Sequence, residues 1–338
     1  MLRAMDDRLL SSVLVTGGAG FIGSHVAEAL LRRGRRVAVL DNLSTGALVN
    51  LAGFRDLVTF INGSVADRTT VEQLVESADA VIHLAASVGN RVVSRHPLEA
   101  IENNLKGSTN VLEACARRHR PVAIASSSEV YGRSELMPFR EDADLVIGPP
   151  NSSRWLYAAA KLMGEFEAMV HATHNDLPVV VARFFNVAGP RQAGRFGMVL
   201  PRFVRQALSG EPLSVYGSGD QQRCFCHVSE LAEALLDLLE CPAARGRIVN
   251  LGNTNRITMR ELAVRIVART ASKSPVVTVP FAEVYGPGYD DMDRRQPDIT
   301  VARELIGFSP RRTVDEIIDD VIAWQRENWS RLADESDY

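Results

Sequence analysis

The chain has 338 residues, 46% of them hydrophobic, and a formal net charge of −3. That length can bury one large core or two fused ones, and a near-neutral balance without a basic block excludes a nucleic-acid surface. The apolar runs are far shorter than a membrane span, and Met5-Asp6-Asp7-Arg8 interrupts any signal-peptide core. Cys115, Cys224, Cys226 and Cys241 fit reduced thiols, so a cytoplasmic setting is expected. Cys224 and Cys226 stand alone, without the second Cys/His pair a metal site needs, so no metal is expected.

The first element is the apolar run Val13-Leu14-Val15, which reads as a buried parallel strand. It runs into Gly17, Gly20 and Gly23 at spacing three, and then into a helical pattern, Ser24–Arg33, that ends at Gly34. Strand, glycine turn and helix N-terminus together make a phosphate cradle. Gly17 turns the chain, Gly20 lets backbone approach a pyrophosphate, and Gly23 lets the helix pack close to the strand. A second strand, Arg36–Leu40, ends in Asp41, where a carboxylate can accept both ribose hydroxyls and repel a 2′-phosphate. The pattern predicts NAD, not NADP.

Further short β-branched runs follow at Val58–Ile61, Ala80–Leu84, Val122–Ala125 and Val179–Ala182. Helical stretches near Thr69–Glu76, Pro97–Arg118 and Trp155–Thr173 separate them. This alternation predicts an α/β fold, a Rossmann-type doubly wound parallel sheet whose ligands sit beyond the carboxyl ends of the strands. After residue 186 the rhythm changes to shorter elements: helices Leu200–Leu208, Ser229–Leu239, Met259–Arg269, Val301–Leu305 and Val314–Arg326, and strands Leu213–Tyr216 and Ile248–Leu251. Pro280–Pro297 reads as a long loop. We expect an NAD-binding domain over 1–185, with 226–251 returning to it. A smaller mixed α/β C-terminal substrate domain is expected over 186–225 and 252–330, and a tail over 331–338.

Tyr157 and Lys161 sit four apart, on one face of a helix. A lysine one turn away, beside a positively charged nicotinamide, favours the phenolate and makes a general base. Ser126-Ser127-Ser128-Glu129 lies on the loop after the fifth strand and brings hydroxyls to the same edge. His83 is expected to pack beside its strand, and Trp324 and Trp329 to pack in a core or interface.

These residues resemble the extended short-chain dehydrogenase/reductases that act on nucleotide sugars, over nearly the whole chain. Gly17, Gly20, Phe21, Ile22 and Gly23 match their NAD fingerprint, and Asp41, Asn42, Ser44, Thr45 and Gly46 match their adenosine-ribose loop. The resemblance further implies cofactor contacts at Ser64, Val65, Leu84, Ala85, Ala86, Asn104, Ser126, Phe184 and Val187. Ser64 stands where the family usually has Asp. Tyr157, Lys161 and Ser127 fall on the catalytic residues, with Ser128 and Glu129 beside them. Substrate contacts are implied at Val88, Asn186, Val199, Arg202, Val215 and Tyr216, and Arg223 and Arg295 fall on two arginines that clamp a diphosphate, a role suited to forked donors. Arg91 and Arg154 are candidates for meeting a uronate carboxylate.

The resemblance implies oxidation at carbon 4 of a UDP-sugar. Ser128-Glu129 stands where dehydratases carry Asp-Glu, so the acid that expels a hydroxyl is missing. Ser127-Ser128-Glu129, Arg154 and Asp293-Arg294-Arg295-Gln296-Pro297-Asp298-Ile299 are similar to UDP-glucuronate decarboxylases, whereas Val187-Ala188-Gly189 and the Phe196–Phe203 segment look more like epimerases. The sequence reading puts a UDP-sugar 4-epimerase (an isomerase) first and a UDP-glucuronate decarboxylase as the alternative. An NAD-binding scaffold without turnover is the non-enzyme alternative, which an intact Ser127, Tyr157 and Lys161 argue against. The family also implies a homodimer through a four-helix bundle of the Pro97–Arg118 and Trp155–Thr173 helices.

Overall fold

The computed structural model describes residues 10–88, 97–150, 155–194, 197–286, 292 and 294–330. Arg91, Arg154, Asp293, the Pro287-Gly288 pair, Phe196 and the tail lie outside them.

Seven parallel strands form the central sheet: β1 (Ser12–Thr16), β2 (Arg36–Asp41), β3 (Val58–Asn62), β4 (Ala80–His83), β5 (Val122–Ser127), β6 (Val179–Phe184) and, later in the chain, β11 (Arg247–Leu251), in the order β11-β6-β5-β4-β1-β2-β3. The central strands β1, β4, β5 and β6 are nearly or wholly buried because helices cover both faces, which is why their sequences are mostly Val, Ile, Leu and Ala without alternation; the edge strand β3 is more exposed. One face packs on helices Phe21–Arg32 and Val228–Glu240 through Val26, Leu30, Leu231 and Leu235. The other packs on Arg68–Ser77, Pro97–Arg118 and Leu156–His174 through Val71, Val111, Leu112 and Ala168. Strand order reverses between β1 and β4, so the crevice above those two ends is the place for a ligand.

The remaining elements build the other wall of that crevice. They are β7 (Val187–Ala188), β8 (Leu213–Tyr216), β9 (Gln222–Cys224), β10 (Cys226–His227), β12 (Arg256–Thr258), β13 (Val276–Val279) and β14 (Arg294–Arg295). Helices Val199–Ser209, Met259–Thr270 and Val314–Glu327 bury Phe203, Leu262, Ile266, Ile317 and Val321 in a separate apolar core. A Thr313–Glu316 capping box starts the last of these.

The segment expected as one long loop, Pro280–Pro297, instead holds a short helix, Phe281–Tyr285, and the strand β14. Two residues of strand are too short to show a period, and β14 exists because it pairs in parallel with β9. The four cysteines are free thiols. Among the described residues no helix is long and apolar enough to cross a membrane, and no group of His, Cys, Asp and Glu could hold a metal.

Candidate active site

The cleft over the switch point begins at the glycine turn. Gly17 has φ +71°, and a Cβ there would stand 2.7 Å from the Ala85 backbone nitrogen. At Gly23 a Cβ would fall inside the Gly17 carbonyl oxygen, so the helix approaches the strand only without a side chain. Gly20, the N-cap of helix Phe21–Arg32, contributes no capping side chain, so the helix N-terminus stays open toward the cleft. Asp41 is 7% exposed and has two jobs. Its Oδ2 accepts from Ala19 N at 2.9 Å and its Oδ1 from Leu43 N at 2.8 Å, bracing the turn while the side chain faces the cleft. Burial raises its pKa above the ordinary value, and those backbone donors oppose the rise.

The cleft is lined by Gly17, Gly20, Phe21, Ile22, Gly23, Asp41, Asn42, Ser44, Thr45, Ser64, Val65, Leu84, Ala85 and Ala86 on its dinucleotide side. Ser126, Ser127, Ser128, Glu129, Tyr157, Lys161, Phe184, Asn186 and Val187 line its centre, and Val88, Val199, Arg202, Tyr216, Arg223 and Arg295 its far side. Three residues expected there stand elsewhere. Val215 alternates with its neighbours along β8 and is fully buried in the apolar core. Gly46 is tucked against Ala19 and Asp41 and leaves the lining to Thr45 and Ala47. Asn104 is buried and clamps the loop after β4: its Oδ1 accepts from Ser87 N at 2.7 Å and its Nδ2 donates to Ser87 O at 3.2 Å. The adjacent Asn103 lines the cleft instead.

The reacting end is compact. Tyr157 opens its helix, with Lys161 one turn on and the ammonium 6.0 Å from the phenol ring centroid. Ser127 hydrogen-bonds the Tyr157 hydroxyl, and Ser127 Oγ also accepts from Glu129 N at 3.3 Å. Lys161 Nζ donates to Ala125 O at 2.9 Å. Burial pushes Lys161 down to about 8, with Glu165 pulling the other way. The protein's own groups, taken together, raise the Tyr157 pKa and do not depress it. Burial, then the Glu129 carboxylate, push its hydroxyl well above the usual phenol range, and Ser127 offsets this in part. His83 packs under the site as expected, bonded to Thr16 Oγ1 at 2.8 Å and Ser108 Oγ at 3.1 Å, and burial pushes it down to about 3.

On the far side, Arg295 of β14 and Arg223 of β9 are register partners, 9% and 7% exposed. Arg295 forms an ion pair with Glu129 across the cleft. Arg202 donates to Ser214 O at 2.9 Å and lies 4.1 Å over the Tyr216 ring. Phe281 and Tyr285 also line the cleft, Tyr285 edge-on to Tyr216 at 5.9 Å. The sequence reading missed both, and no short motif could have revealed them. Trp324, expected in packing, is only half-buried and reaches the cleft.

Residues 13–252 match the NAD dependent epimerase/dehydratase family. The chain belongs to that family. Within it, the chain is 38% identical over 315 residues to the UDP-N-acetyl-alpha-D-glucosaminuronate decarboxylase of Bacillus cytotoxicus, covering 93% of this chain and 97% of that one. It is 34% identical to UDP-glucuronic acid decarboxylase 1 of Danio rerio, over 96% of this chain and 74% of that one. The solved UDP-glucuronic acid 4-epimerase of Bacillus cereus superposes with a TM-score of 0.83 at 26% identity, covering 94% and 99% of the two chains. The protein is therefore an NAD-dependent enzyme of the epimerase/dehydratase family. The relatives favour the decarboxylase alternative over the epimerase that the sequence reading put first. The cradle suits NAD: the open helix N-terminus faces the pyrophosphate side, and the buried Asp41 would oppose a 2′-phosphate.

Proposed function

We propose that the protein decarboxylates a UDP-hexuronate by oxidation at carbon 4, loss of carbon dioxide and reduction. In this reading Gly17 to Gly23 and Asp41 hold NAD, and Arg223 with Arg295 faces the UDP diphosphate. NAD, when bound there, would supply a positive charge beside Tyr157 and a reversible hydride acceptor for carbon 4. Tyr157 takes the proton of the 4-hydroxyl while Ser127 hydrogen-bonds the same oxygen and Lys161 stabilises the phenolate. Carbon 4 is then a ketone and carbon 5, its α carbon, carries the carboxylate, so the intermediate is a β-keto acid. The electrons of the bond between carbons 5 and 6 move toward that carbonyl oxygen and carbon dioxide leaves, while Tyr157 and Ser127 stabilise the enolate oxygen. Carbon 5 takes a proton from water, hydride returns to carbon 4, and Tyr157 gives its proton back to the 4-oxygen, leaving a UDP-pentose.

The observation that carries this over epimerisation is Glu129. It lies close enough to raise the Tyr157 pKa and is locked to Arg295. Arg295 offsets part of its charge, and what remains of a carboxylate fixed beside Tyr157 disfavours a bound substrate carboxylate relative to neutral carbon dioxide. An epimerase must keep that carboxylate, so the same charge would work against it. The second reading, a 4-epimerase, is supported by the Bacillus cereus neighbour. Mass spectrometry after incubation with UDP-glucuronate or its 2-acetamido analogue tests the choice. A sugar nucleotide lighter by one carbon dioxide supports decarboxylation; an unchanged mass with a new sugar supports the epimerase.

A homodimer belongs to the same proposal. Met163, Phe166 and Val170 are 55%, 60% and 53% exposed at helical spacing on Leu156–His174, an apolar stripe that suits an isologous contact between copies. The free thiols fit the expected cytoplasmic setting.

A further inference from the structure

Behind the reacting pair lies a second, closed polar cluster. Tyr157, Lys161 and Glu165 follow at intervals of four and form one stripe of the same helix. Glu165 and Arg183 are 3% and 2% exposed. Glu165 Oε1 accepts from Arg183 Nε at 2.9 Å and Oε2 accepts from Arg183 Nη2 at 2.7 Å. Ser126 Oγ adds a third donor to Oε1 at 2.5 Å. A cavity of about 10 Å³ separates this cluster from the lysine; its polar lining is Ser108, Ser126, Lys161 and Glu165. That is about the room and the polarity one buried water needs. Arg183 is not part of this lining, so the cavity meets the carboxylate side of the ion pair. A buried ion pair adds little to stability over apolar residues of the same shape, so packing alone gives no reason for a charged pair here.

We propose that Glu165 is a positioning residue: across this cavity, through one bridging water, its carboxylate keeps the Lys161 ammonium charged and held toward Tyr157. The inference rests on the reading of Tyr157 and Lys161 as the acid–base pair. The groups around Lys161 fit. Tyr157 and Glu165 come from its own helix, Ser126 from β5 and Ser108 from Pro97–Arg118. His83 on β4 is held neutral by burial, and Glu129 acts on the far side of Tyr157. Behind Glu165, Arg183 also donates to Glu141 O at 3.4 Å and lies 4.8 Å over the Tyr131 ring. Among the described residues Glu165 is thus the negative group facing the lysine, and its pull opposes the burial that lowers Lys161 to about 8.

The test uses the full chain. It has three lysines, Lys106, Lys161 and Lys273, so carbon-13 NMR of ε-labelled lysine resolves the buried one without relying on turnover. In Glu165→Gln the Lys161 titration should move down by about one pH unit or more. The alkaline limb of kcat should move with it, KM for the sugar nucleotide should stay unchanged, and Glu165→Asp should restore part of the shift. If Glu165→Gln fails to fold because Arg183 is left unpaired, the double variant Glu165→Gln/Arg183→Met removes the lone charge and should show the same shift. An unmoved Lys161 titration in the folded variant overturns the proposal. A shifted lysine in an enzyme inactive on UDP-uronates overturns the functional reading and leaves this one standing.

Discussion

Glu129 and Arg295 meet across the cleft, a carboxylate from the 3-10 helix Ser128–Tyr131 that follows β5 paired with a guanidinium from β14, their side chains 14% and 9% exposed. The pair ties the segment after β5 to the opposite wall, so its effects on stability and on the proposed chemistry can be separated. Arg295→Met should destabilise the fold by about 1–3 kcal/mol, by removing a charge-assisted partner of a largely buried carboxylate. Adding Glu129→Gln should recover most of that stability in a denaturant titration, while turnover should stay at least about a hundredfold down. Recovery of both would make the pair a structural strut with no part in the chemistry.

Tyr157→Phe removes one oxygen at the reacting end and leaves the dinucleotide side of the cleft intact. NAD binding, read by calorimetry, should be unchanged, and kcat should fall by at least about a thousandfold. Turnover close to wild type would remove Tyr157 from its assigned role.

Gly23→Ala places a methyl group against the Gly17 carbonyl. The helix must move off the strand, at a cost of about 1–3 kcal/mol, and the phosphate cradle opens with it. The melting temperature and the affinity for NAD should drop together; an unchanged affinity would show that the turn tolerates the shift.

His83 gives a pH signature for stability. Its folded value, about 3, lies below the ordinary 6.5, so the folded state favours the neutral ring. The contribution is complete above about 6.5 and is lost as pH falls from there toward 3, because the unfolded chain takes up the proton first. His83→Asn should flatten the acid side of the stability curve, measured as denaturation midpoint against pH. An equally steep acid limb in the variant would assign acid unfolding to other groups.

Phe166 tests the proposed dimer contact. Phe166→Glu puts a charge in the exposed apolar stripe, and light scattering should then report a monomer with secondary structure intact. A wild-type monomer would refute the contact altogether.

The parallel sheet was legible because its central strands are buried on both faces and written as apolar runs, and the glycine turn because close approaches leave no room for a side chain. Tyr157, Lys161 and Ser127 were legible because helical spacing and a strand-end loop bring them to one edge. The far wall was not. β14 is two residues held by pairing with β9, and Phe281 and Tyr285 reach the cleft from a five-residue helix. Neither element has enough length to carry a period. Asn103 and Asn104 show the limit at single-residue scale, since adjacent positions on a helix point apart and only coordinates say which one faces the cleft. Charge pairing between distant segments, as in Glu129 with Arg295, also leaves no local trace.

UDP-glucuronate carrying carbon-13 at its carboxylate, followed by carbon NMR in the presence of the protein and NAD, tests the central claim most directly. The label should leave the sugar and appear as bicarbonate as a UDP-pentose accumulates. A label that stays on the ring while UDP-galacturonate forms would contradict decarboxylation.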